Sequence, residues 1–176
     1  MDPLECVAIV QLLLLRHGVA VDRQIFAAEG GSDRDRPLTD DGRRRTRRCV
    51  RRLRSLVPKL DVVATSPWLR AQQTAQLLQA AYGTVTLTEL EALRPDRPLE
   101  EIEAFLRALP LDSRVALVGH RPDLEILAAW LTSGVSTATV ELKKAGSALI
   151  EFSGIPGRGR GVLRWLLQPA QLRRMR

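Results

Sequence analysis

The sequence predicts an α/β fold: a three-layer α/β/α sandwich around a mostly parallel central sheet with an antiparallel edge strand. Three observations predict it. Leu12-Leu13-Leu14-Leu15 is a short unbroken apolar run, the pattern of a strand buried on both faces. Val115-Ala116-Leu117-Val118 repeats that pattern. Between such runs lie segments whose apolar residues recur at helical spacing, and strands alternating with helices build a sheet covered on both sides.

Taken in order, the Leu12–Leu15 run ends in Arg16-His17-Gly18, where an open α/β sheet places its ligands. Residues 19–38 are polar and turn-rich, with Gly30-Gly31-Ser32-Asp33 and Arg34-Asp35-Arg36-Pro37, and are predicted to form a long loop overhanging that strand end. Thr39 is the N-cap of the next helix, with Asp40 and Asp41 in its first turn. Thr46, Cys49, Val50, Leu53, Leu56 and Val57 form its buried stripe, and Pro58 stops it. Asp61–Thr65 reads as the second strand, followed by Ser66 as a helix cap with Pro67 at the first helical position. Arg70 then falls in the first turn, where the helix dipole disfavours a cation unless an anion is near.

Further along, Thr84–Thr88 is a third strand, Pro98–Leu109 a helix with Glu100, Glu101 and Glu103 on its wet side, and Arg114–Val118 a fourth strand. After His120, Pro122 and Asp123 open a helix carrying Leu124, Leu127, Ala128 and Leu131. Ser147–Phe152 is the fifth strand; Gly154–Gly161, with its Arg-Gly repeats, is a basic hairpin turn into an antiparallel edge strand, Val162–Leu167.

Composition sets the outer limits. A chain of 176 residues is the length of one domain, 1–176. The balance of 27 Lys+Arg against 20 Asp+Glu gives a net charge of +7, carried mostly by arginine, so an anionic partner is expected. Cys6 and Cys49 lack metal-ligand spacing, which fits a reducing compartment and neither a disulfide framework nor a thiolate site. Val7–Leu15 has the length of a signal-peptide core, but Asp2 and Glu5 make its flank acidic and Gln11 interrupts it. No run approaches membrane-spanning length, and a cytoplasmic protein is expected.

Only two histidines occur, His17 and His120, and both follow strand-like runs. With Arg16 and Arg70 they are predicted to converge on one rim of the sheet. Neither a Gly-x-Gly-x-x-Gly nor a Walker pattern is present, so no dinucleotide cofactor is expected, and two histidines without a carboxylate partner make a poor zinc site. Two guanidiniums and two imidazoles suit a phosphoryl group: each guanidinium holds two equatorial oxygens, and a neutral imidazole can attack phosphorus. Trp68 is expected to pack in the core rather than border the pocket. Eight arginines between Arg43 and Arg54 read as a solvated face, with nucleic-acid or acidic-protein docking as the alternative.

Leu15-Arg16-His17-Gly18, Arg36-Pro37-Leu38-Thr39 with Gly42, Thr65-Ser66-Pro67-Trp68-Leu69-Arg70-Ala71-Gln72-Gln73-Thr74-Ala75 and Val118-Gly119-His120-Arg121-Pro122-Asp123-Leu124 together resemble the histidine phosphatase (phosphoglycerate mutase-like) superfamily. The short chain, Lys143-Lys144 and the Leu163–Pro169 ending resemble its SixA-type phosphohistidine phosphatase branch. The resemblance implies that His17 is the phosphoacceptor, that Arg16 and Arg70 are phosphate ligands and that His120 is the second histidine; it implies no metal or cofactor. Larger members carry an acidic residue after the third strand as general acid. Here Leu93-Arg94-Pro95-Asp96 puts proline about there, with Glu91 and Asp96 as neighbours of the position. The expected substrate is therefore a phosphohistidine in a signalling or phosphotransfer protein, whose leaving imidazole needs no dedicated acid. The alternatives are a small-molecule phosphomonoesterase or mutase, and a phosphate-sensing or nucleic-acid-binding module.

Overall fold

The computed structural model describes residues 8–175; the expectations for Asp2, Glu5, Cys6 and Val7 lie outside them. Six strands form one sheet: β1 (Ile9–Arg16), β2 (Val62–Thr65), β3 (Thr86–Glu89), β4 (Arg114–Gly119), β5 (Ser147–Ser153) and β6 (Val162–Leu167), in the order β3-β2-β4-β1-β5-β6. The β3·β2, β2·β4 and β4·β1 pairings are parallel. β5 runs antiparallel to β1, and β6 at the edge runs antiparallel to β5.

Alternation along β1 explains its unbroken apolar run. Leu12 and Leu14 enter one core with Val115 and Leu117, while Leu13 and Leu15 enter the opposite core with Ala116 and Val118. The first core is closed by α4 (Leu99–Arg107) and α5 (Asp123–Ser133), through Ile102, Leu106, Leu124, Leu127 and Leu131. The second is closed by α2 (Asp40–Leu56), α3 (Leu69–Tyr82) and α6 (Pro169–Arg174), through Cys49, Leu53, Ala75, Leu78 and Leu172. This is the predicted three-layer arrangement.

Thr39 caps α2 as expected, its hydroxyl accepting from the Gly42 amide at 2.9 Å. A Cβ on Gly42 would sit 2.0 Å from the carbonyl oxygen of Val19, so only glycine lets α2 start this close to the segment after His17.

Four boundaries differ from expectation. The 19–38 segment is not a plain loop: it contains α1 (Arg23–Ala28), capped by the Asp22 carboxylate, and a 3₁₀ turn (Asp33–Asp35) capped by Ser32. The helix after β2 begins at Leu69, because the Ser66 hydroxyl is engaged by His120 and by the Trp68 amide. β3 starts two residues late, and the unexpected α6 is held by the reciprocal Gln168–Gln171 capping box and buried Leu172.

Candidate active site

The carboxyl ends of β1, β2 and β4 meet at one rim, and backbone bonds extend the parallel pairing past the strand ends. His17 N donates to Gly119 O at 3.0 Å and Ser66 N to Val118 O at 2.9 Å. Around this rim lies a cavity of about 370 Å³ lined by all four expected residues, Arg16, His17, Arg70 and His120. Trp68 lines it as well, contrary to the expectation of core packing. Its indole meets the His120 ring edge-on at 5.0 Å and lies 4.5 Å from the Arg70 guanidinium, two partners found only at the rim.

His17 is buried, and its tautomer follows from its neighbours. The Gly18 carbonyl 2.7 Å from Nδ1 can only accept, so Nδ1 carries the proton; Arg70 Nε, 3.3 Å from Nε2, can only donate. Nε2 is thus unprotonated, its lone pair accepting from Arg70 Nε on the cavity side. Burial, then His120 and the nearby arginines, push the His17 pKa well below the usual histidine value. His120, with its ring centroid 5.2 Å from that of His17, falls to about 3 through burial and the Arg70 charge, and is bonded through Nε2 to Ser66 Oγ at 2.8 Å.

Gly18 is held in place by Thr74, whose hydroxyl accepts from the Gly18 amide at 3.0 Å and donates to Arg70 O at 2.8 Å. A Cβ on Gly18 would lie 2.3 Å from Thr46 Oγ1.

The anion expected beside Arg70 is Asp33. Its carbonyl oxygen accepts from Arg70 Nη1 at 2.6 Å, and its carboxylate lies 3.6 Å from Nη2 and 2.8 Å from Arg36 Nε. Burial lowers the Arg70 pKa to about 10, with Asp33 offsetting part of the cost. Burial opposes the Asp33 charge, yet the Arg36 hydrogen bond and the Arg70 charge hold its pKa below the usual value. Arg16 donates from Nη1 to Leu142 O at 2.7 Å, while its buried Nε has no acceptor among the described residues. Leu142 is itself fixed by buried Glu125, whose Oε1 accepts from Leu142 N at 2.8 Å.

Lys144, Arg36 and Arg23 complete a strongly cationic lining. Sequence reading assigned these no site role, although Arg36 and Lys144 lie in blocks it had singled out. Of the two acidic neighbours of Pro95, Asp96 reaches the cavity, whereas Glu91 pairs with Arg94 at 3.3 Å and is absent from the lining. Asp123 also lines the cavity, its pKa raised by burial. Among the described residues no group of three or more His, Cys, Asp or Glu is placed to hold a metal ion, and no helix is long and apolar enough to cross a membrane.

The family model described as histidine phosphatase superfamily (branch 1) matches residues 12–103, from β1 into α4. The chain belongs to the histidine phosphatase superfamily. An uncharacterised protein of Picosynechococcus sp. PCC 7002 is 39% identical over 140 residues, covering 78% of this chain and 82% of that one. Phosphohistidine phosphatase SixA of Escherichia coli K12 is 27% identical over 167 residues, covering 93% and 97%. A solved structure of the protein histidine phosphatase SixA complexed with tungstate superposes with a TM-score of 0.79 at 26% identity, covering 92% of this chain and 99% of that one. Sequence and fold together place this superfamily member in the SixA-type branch.

Proposed function

We propose that the chain is a phosphatase that removes the phosphoryl group from phosphohistidine in a signalling or phosphotransfer protein, through a phosphohistidine of its own at His17. The observation that carries this is the unprotonated Nε2 of a buried, neutral His17 facing a cavity walled by guanidiniums. In the first step the Nε2 lone pair forms a bond to phosphorus as the P–N bond to the substrate imidazole breaks; that imidazole takes its proton from water. In the second, water attacks phosphorus, the His17 N–P bond breaks, and inorganic phosphate leaves with His17 again neutral. Arg16 and Arg70 hold the equatorial oxygens, and His120 contacts them from the opposite ring.

The leaving group follows from what lines the β3 side. Pro95 stands at the cavity edge and the adjacent Asp96 is exposed, so the position after β3 supplies no buried carboxylic acid to protonate an alkoxide. Imidazole is a leaving group that tolerates this. The likeness to SixA, by its name a phosphohistidine phosphatase, points the same way. The one described cysteine, Cys49, is a free buried thiol, consistent with the reducing cytoplasm as the place of action.

Turnover on a phosphohistidine-bearing phosphotransfer protein, on 3-phosphoglycerate and on an aryl phosphate tests the reading. Preference for the phosphohistidine protein is expected, and preference for phosphoglycerate overturns it. Labelling with a phosphate donor and quenching in alkali, where phosphohistidine survives, is expected to give label that vanishes in His17→Ala.

A further inference from the structure

The solvent face of α2 carries charge that the catalytic reading leaves unused. Cys49, Val50 and Leu53 point inward, which turns Arg44, Arg47, Arg48 and Arg51 outward. Arg44 and Arg45 pair with Asp41, and Arg54 donates to Ala81 O. Arg47, Arg48, Arg51 and Arg52 have no ion-pair partner among the described residues. α6 brings a further cation to the same face: buried Leu172 and the Cys49–Pro169 contact dock it on α2, and Arg173 closes a cleft of about 250 Å³ with Arg48, Arg51 and Arg52. Four guanidiniums gathered without a carboxylate repel one another, an arrangement that an anionic partner relieves.

The position of this face relates it to the cavity. α2 starts at the rim, where Thr39 N donates to Val19 O at 3.0 Å and Arg36 lines the cavity just before it. Helical rise then puts Arg48 and Arg52 roughly 12 and 18 Å along the axis from the first residue of α2. From the start of α2 at the cavity rim, the cleft lies about four to five extended residues away. No aromatic side chain stands on α2 to stack a base, which argues against single-stranded nucleic acid.

We propose that the α2–α6 arginine cleft docks an acidic surface of the phosphorylated protein substrate, so that specificity is read outside the catalytic cavity by carboxylate–guanidinium pairing. This rests on the phosphohistidine reading and adds to it the chemistry of the partner: a cluster of carboxylates on the surface beside the phosphohistidine. The docking arginines contribute to encounter and KM, not to the chemical step.

The test uses two synthetic phosphohistidine peptides, identical except that a run of six residues placed about five beyond the phosphohistidine is all glutamate or all glutamine. The full chain is compared with Arg48→Gln/Arg51→Gln/Arg52→Gln, checked for native circular dichroism. The unsubstituted protein is expected to favour the glutamate peptide about tenfold or more in kcat/KM at low salt, through KM, and to lose that preference in the variant and in high salt. Both proteins should hydrolyse the glutamine peptide equally. Equal turnover of the two peptides by the unsubstituted protein, or a preference that survives in the variant, overturns the docking proposal. Turnover of neither peptide overturns instead the catalytic reading beneath it. Inhibition by a 20-base-pair DNA duplex that vanishes in the variant, without any peptide preference, reassigns the cleft to nucleic acid and likewise overturns the proposal.

Discussion

Arg70 Nε lies 3.3 Å from Nε2 of His17, so the guanidinium that would clamp phosphate also touches the nitrogen that would attack it. The same guanidinium donates to Asp33 O at 2.6 Å and lies against Trp68, which fixes its plane. Lysine carries the charge but not the fork, and its single ammonium cannot contact Nε2, two phosphoryl oxygens and Asp33 together. Arg70→Lys is therefore expected to lower kcat/KM on the phosphohistidine protein by about 100-fold or more while leaving thermal unfolding within a few degrees of the parent. Near-parent turnover in that variant would show that Arg70 does not hold the transferring group.

How far these roles were legible in the sequence depends on what positions each residue. Arg16, His17 and His120 each end an apolar strand run, and Arg70 sits in the first turn after β2, so local pattern alone brings all four to the rim. Asp33, Arg36, Trp68 and Lys144 come from connecting segments whose paths are set by distant partners. Asp33 reaches the cavity because Arg36, Arg23 and Arg70 draw it in, and no spacing rule encodes that. The six-residue helices α1 and α6 were missed for a related reason: each is too short to form alone and depends on caps and docking. Ser66-Pro67 matches a helix-start pattern, but the hydroxyl is claimed across the sheet by His120.

Two buried imidazoles held neutral make the fold acid-sensitive. Both pKa values are depressed in the native state, so their contribution to stability is complete above the unfolded value of 6.5 and is lost as pH falls toward the folded values, about 3 for His120. The unfolded chain binds two protons over that range that the native chain refuses. Urea unfolding is expected to weaken below pH 6.5 by about 1.4 kcal/mol per pH unit per histidine, and His120→Asn should remove one such contribution. Nitrogen NMR at pH 5 checks the state directly: His17 should show Nδ1–H with a bare Nε2, and an imidazolium spectrum at that pH would contradict the nucleophile assignment.

Asp33 places a carboxylate among the cations that would receive phosphate. Its charge favours the native cluster of Arg23, Arg36 and Arg70 but opposes an incoming dianion. Asp33→Asn retains the backbone acceptor for Arg70 and deletes only the charge. Inorganic phosphate should then inhibit more tightly, by about three- to tenfold, as expected for removing about 1 kcal/mol of repulsion at a partly solvated site. A weaker or unchanged inhibition constant would mean that the Asp33 charge is needed to order the arginines rather than to tune their affinity.

Asp123 stands at the first turn of α5 with Oδ2 buried and unbonded, and Oδ1 accepting a long 3.4 Å contact from Asp96 N. Burial raises its pKa; the backbone amides of Asp96 and Asp123 offset part of that, and the Asp96 charge adds a smaller share. The sign is opposite to that of the histidines: a carboxyl whose folded pKa is raised favours the native state while protonated and disfavours it once pH climbs past the unfolded value of 3.8 toward the folded one. Asp123→Asn, neutral at every pH, is accordingly expected to be more stable than the parent at pH 7, with no gain at pH 3 where both forms are uncharged. The same variant bears on the leaving group. If phosphohistidine turnover persists in Asp123→Asn, the leaving imidazole is protonated by water, as proposed; a collapse of turnover together with the stability gain would make Asp123 the proton donor and reopen phosphomonoesters as substrates.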